Sequence, residues 1–152
     1  MRYKLVRAVW LFFALLIFVC AFTATAAVNT VKIKLNGLGL QKTERVFYLY
    51  SASSQAQRKR SITACELAFV EGESVEYFLG KDADGDEFAR KILEMLGGEL
   101  LFTETVCGVR SYYAYASTLY QPVGVKGGKV NLHIAVKADG IAVGSPLIFG
   151  GY

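Results

Sequence analysis

The spacing of apolar and polar side chains changes several times along the chain, and each change predicts an element. The segment "TVKIKLNG" alternates Val31, Ile33 and Leu35 with Lys32 and Lys34, the period of two expected of a half-buried strand. Two aromatic and aliphatic runs, "ERVFYLYS" and "ITACELAFVEG", flank the polar stretch "SASSQAQRKRS" and read as a long-looped hairpin; "SVEYFLG" reads as a further short strand. The period then lengthens. In "DADGDEFARKILEMLGG", Phe88, Ile92 and Leu96 recur every four residues beside Ala89 and Leu93, with Arg90, Lys91 and Glu94 opposite, which predicts an amphipathic helix. Asp84 is placed to cap its first turn, Asp86 and Glu87 suit the positive end of its dipole, and Gly97 permits the left-handed residue that ends it.

Three strand signals follow: "ELLFTETVC", "VRSYYAYAST" after Gly108, and the pair "VNLHIAVKADGIAVGSPLIFGGY" folded at Ala138-Asp139-Gly140. Its first arm sets Val130, Leu132, Ile134 and Val136 on one face and Asn131, His133, Ala135 and Lys137 on the other. "KGGK" reads as a turn, and "LIFGGY" as a closing strand. Many strands joined by short turns around one clear helix predict an α+β domain, a mostly antiparallel sheet with the helix on one face and the other face partly open. Alternation separates Tyr113, Tyr115 and Ser117 from Tyr112, Ala114 and Ala116, but leaves open which set faces the helix.

The first 26 residues follow a different logic. Arg2, Lys4 and Arg7 precede the uncharged run "AVWLFFALLIFVCAF", and Ala24 and Ala26 stand in an A-x-A arrangement, the three-part plan of a secretory signal peptide. An uncleaved anchor through residues 8–28 is the competing reading, long enough for one membrane span. Either reading puts a single domain, residues 27–152, outside the cytoplasm. The whole chain carries 17 Lys and Arg against 13 Asp and Glu; without Arg2, Lys4 and Arg7, 14 bases face 13 acids, so the basic balance belongs to the leader. That near-neutrality opposes nucleic-acid binding, which needs a basic face. The one dense cluster, Arg58, Lys59 and Arg60, reads as a solvated loop. Beyond Cys20, Cys65 and Cys107 form an even pair in a disulfide-permissive compartment, open to a bridge or to packing as small apolar residues.

Candidate chemistry is sparse. Asp82, Asp84 and Asp86 match the first, third and fifth places of a calcium loop, but Glu87 stands where glycine is needed and Leu93 where the bidentate glutamate belongs. His133 is the only histidine, so a zinc site lacks its usual companions. No nucleophile elbow, zinc-protease helix motif or phosphate loop occurs. No catalytic residue, metal or cofactor is therefore assigned. His133, Asn131, Tyr113 and Tyr115 are read as contacts on a sheet surface. The competing reading is a small extracytoplasmic hydrolase or transferase built from His133 with Asp139 and Glu104.

The ending is specific enough to compare. With Asn131, Leu132, Ile134 and Ala135 in one arm, Val143, Gly144 and Pro146 in the other and Tyr152 at the end, "NLHIAVKADGIAVGSPLIFGGY" resembles the close of the YwmB family. The order of the helix and "ELLFTETVCGVRSYYAYA" is similar as well, so the likeness covers the last 75 or so residues. It implies a fold like that of the TATA-box-binding protein and an exported, non-enzymatic envelope protein, without naming a ligand. The export signal, the open sheet and the lack of a catalytic constellation read together as an interaction domain with a protein or envelope partner, acting in envelope assembly or sporulation. The resemblance also implies a second helix in the first part of the domain, where residues 27–80 read as strands.

Overall fold

In the computed structural model, the described residues are 6–19, 35, 42–49, 57–63, 66, 69–80, 82–119 and 121–149. The strands are β1 (Lys42–Leu49), β2 (Gln57–Lys59), β3 (Val70–Phe78), β4 (Gly98–Val106), β5 (Val109–Ala116), β6 (Val123–Val125), β7 (Gly128–Val130), β8 (Leu132–Val136) and β9 (Gly140–Ser145). Helix α1 covers residues 6–19 and α2 covers Gly85–Leu96. Seven strands make one sheet in the order β2-β1-β3-β9-β8-β5-β4, every neighbouring pair antiparallel, and β6 and β7 form a separate hairpin. The chain is thus α+β, with an antiparallel sheet.

Helix α2 forms as its pattern predicts. Asp84 accepts the backbone N–H groups of Asp86 and Glu87, and Gly97 ends the helix at φ 62°. An Asp cap of this kind contributes about 1 kcal/mol. Ala89, Ile92, Leu93 and Leu96 are buried against Tyr77, Val75, Val143, Ile141, Ile134, Leu132, Ala114 and Tyr112 of the sheet. This settles the question that alternation left open: Tyr112 and Ala114 face the helix, and Tyr113 and Tyr115 face away. Asp86 reinforces the docking, since its carboxylate accepts the Tyr112 hydroxyl at 2.8 Å and pairs with Arg110.

The first part of the domain departs from the pattern reading. Leu35, the one described residue of "TVKIKLNG", is helical and buried in the core beneath α2, not part of a strand. The rest of that segment lies outside the described residues. "ITACELAFVEG" is not one strand either: Glu66 and Phe69 lie in 3₁₀ turns, and the strand begins at Val70 and continues unbroken through "SVEYF" as β3. The stretch expected to be a solvated loop contains β2, whose Gln57–Lys59 pair with Leu49–Phe47 at the sheet edge. Lys59 and Arg60 are engaged by Glu66 and Glu44, so this edge does not present a bare basic patch. The expected turn at "KGGK" does join β6 to β7, with Lys126 at φ 47° and Gly127 at φ 81°.

The far side of the sheet is covered over part of its width: Tyr48, Ser74, Ala142, His133 and Ala135 on that side are buried, while Tyr115 is exposed. Residues 146–149 are not a closing strand; they turn back over this face. Gly144 permits the approach, because a Cβ there would stand 2.6 Å from Ile148 Cγ1. Phe149 meets the Tyr48 ring edge-on at 5.2 Å between centroids, and the Tyr48 hydroxyl shares a 2.8 Å hydrogen bond with Ser74.

Candidate functional site

The four residues read as surface contacts have unlike environments. His133 lies on β8 opposite Tyr113 of β5 and Gly144 of β9, and it is only 4% exposed. Its ring stacks on Tyr113 at 4.4 Å, Tyr113 stacks on Phe102 of β4 at 4.5 Å, and the Lys126 ammonium sits 5.2 Å from the Phe102 centroid. On its other side, Nδ1 accepts the backbone N–H of Ile148 at 3.3 Å. A lone pair on Nδ1 puts the proton of the neutral ring on Nε2. Burial pushes the histidine down to about 4, so the ring is neutral at pH 7. The expected surface histidine is therefore interior, a cross-strand residue that holds the returning chain.

Asn131 is interior too, at 1% exposure between β7 and β8. Its Oδ1 accepts the Ala116 N–H at 2.7 Å, and its Nδ2 donates to the Ala116 carbonyl at 2.9 Å and the Leu119 carbonyl at 3.4 Å. The side-chain amide thus serves the backbone at the end of β5. Tyr113 is half-buried within the aromatic stack, and Tyr115 is exposed, opposite Glu99 of β4. Only these tyrosines keep a surface, and the sequence signal for them was their shared parity on β5.

The groups offered for hydrolase chemistry are not brought together. Glu104 is held by Lys126 at 3.2 Å and lies opposite Ser111, two strands from β8. Asp139 lies in the β8–β9 turn and is exposed. A small open cleft of about 200 Å³ does lie near that turn, lined by residues including Glu76, Phe78, Lys137 and Asp139, with Lys137 and Glu76 paired at 3.1 Å. Pattern reading missed this cleft, because Glu76 and Lys137 meet only through the β3–β9–β8 order.

Two of the three aspartates of the calcium-like stretch are occupied in shaping α2: Asp84 caps it, and Asp86 holds Tyr112 and Arg110. Among the described residues, no group of three His, Cys, Asp or Glu side chains could hold a metal ion. Cys107 is a free, exposed thiol at the β4–β5 turn, where it takes φ 51°; its candidate partner Cys65 lies outside the described residues. In α1, Arg7 is the one charged residue among apolar neighbours, and all its side chains are exposed. Among the described residues, no helix is long and apolar enough to cross a membrane; residues 20–28 of the anchor reading lie outside them. Comparison with protein families, with curated proteins and with solved structures finds no match for the chain.

Proposed function

We propose that the protein is an exported, non-enzymatic interaction module of the cell envelope, of the YwmB type, with a TATA-box-binding-protein-like domain at residues 27–152. The observation that carries the export reading is α1: its apolar side chains are exposed on every side. An all-round apolar helix is suited to a hydrocarbon or translocation environment, and not to water. The non-enzymatic reading is supported by the position of His133, whose Nδ1 is committed to the chain's own backbone. The partner is a protein or glycan of the envelope, and the contact surface is now centred on Tyr115 and the exposed rim of Tyr113. Membrane contact runs through residues 8–28 where the leader is retained.

Both parts have direct tests. The full chain, expressed in a Gram-positive host, should be recovered outside the cytoplasm; complete protection from external protease in intact protoplasts would sink the export reading. A photo-crosslinking residue in place of Tyr115 should capture one recurrent envelope protein or glycan. A folded, exported protein that captures none would overturn the contact surface.

A further inference from the structure

The two edges of the seven-stranded sheet differ. Edge strands are open templates for pairing, and proteins normally blunt them with charge, brevity or cover. β2 is blunted by brevity and charge: it has three residues, and Arg58, Lys59 and Arg60 occupy or adjoin it. β4 has nine residues and no Lys or Arg, and it exposes Leu100, Leu101 and Val106 at 46%, 40% and 58%. Among the described residues, β5 is its only strand neighbour. Its blunting devices are two carboxylates, Glu99 and Glu104, and the register shift between Leu100 and Phe102.

We propose that β4 pairs with β4 of a second copy of this chain, antiparallel about a twofold axis that passes beside Thr103. Self-complementarity favours this occupant over a foreign strand. With Thr103 set against its own copy, Glu104 faces Phe102, and Leu100 and Leu101 at the irregularity flank Thr105. Glu99 falls toward Val106 at each end of the ladder. No carboxylate stands directly opposite another; the two Glu104 side chains are diagonal neighbours, and each is already neutralised by Lys126 of its own chain. Threonine opposite threonine is a favourable cross-strand pair. The three residues of β2 could cover only a third of the nine-residue β4, so a head-to-tail arrangement of β2 on β4, which would grow without limit, leaves most of the β4 edge unpaired, whereas a twofold contact pairs its length and closes after two copies. The product is a continuous fourteen-stranded sheet, since each copy supplies the seven strands of one sheet.

The test uses the full chain with Cys20→Ser and Cys65→Ser, spin-labelled at Cys107, in detergent with micelles in excess over protein. Cys107 lies just past the end of β4, four residues beyond Thr103. Antiparallel pairing therefore sets the two labels about eight strand residues apart, roughly 27 Å. The expected result is a dipolar distance near that value and a dimer mass by light scattering. Thr103→Lys opposes two ammonium groups at the axis and should weaken the dimer about fivefold or more, while Thr103→Val leaves it intact. Circular dichroism checks that each variant folds, and the distance in the protein with Thr103 stands without them. A monomer at high micromolar concentration, a dimer without the distance near 27 Å, or equal association of the two Thr103 variants would each overturn the proposal.

Discussion

His133 makes a quantitative prediction about acid stability. In an unfolded chain its imidazole titrates near 6.5. In the folded protein burial holds it at about 4, because the ring is enclosed by Tyr113, Gly144 and Ile148 and an imidazolium there would lose both its water and its acceptor role toward Ile148. The folded value lies below the unfolded one, so between those values the unfolded chain binds more protons. The stability tied to neutral His133 is therefore fully present above about pH 6.5 and is lost as pH falls toward 4. A separation of that size corresponds to about 3 kcal/mol, most of which is lost by pH 4.5. Carboxylates titrate in the same range, so the measurement is a difference. Urea unfolding of the unaltered chain and of His133→Asn is compared at pH 7.5, 5.5 and 4.5, with asparagine keeping an acceptor near the position of Nδ1. The stability advantage of histidine should shrink by roughly 2–3 kcal/mol across the series. A difference that stays constant with pH would refute the account of His133 as a buried neutral acceptor.

Other consequences follow from the same geometry. Asn131→Leu should cost about 2–3 kcal/mol, because it strands the Ala116 N–H and carbonyl inside the fold, read as a lowered urea midpoint. Gly144→Ala should cost about 1–3 kcal/mol and loosen residues 146–149, seen as faster amide exchange at Ile148, since the new methyl meets Ile148 at 2.6 Å. Asp84→Ala should cost about 1 kcal/mol through the lost helix cap, and calcium up to millimolar concentration should give no heat with the unaltered protein.

Local codes were the legible ones. Helix α2 with both its caps, the β8–β9 pair and the turn at Lys126-Gly127 are each written within a dozen or so residues, so periodicity and turn chemistry find them. The failures have a common cause. Leu35 takes its conformation in a core assembled from β3, β5, β8, β9 and α2, and no window around it records that. Alternation could separate Tyr112 from Tyr113 but not orient them, because orientation depends on which face α2 crosses. His133 stood at a position that an open sheet would expose. What buries it is a segment some 15 residues onward, Ile148, folding back over Gly144. A polar residue on a strand is thus a surface candidate only until the path of the chain's own ends is known.

The place of β9 bears on the order in which the molecule can be made. Remove it, and the sheet separates into β2-β1-β3 and β8-β5-β4, two ribbons with no ladder between them. The strand that welds them, Gly140–Ser145, follows the other described strands in chain order. A nascent chain therefore carries two unfinished ribbons, each with a raw edge, until residue 145 has emerged, and long-range pairing of this kind is slow. Whatever handles the chain from its N-terminus meets it before the sheet can close.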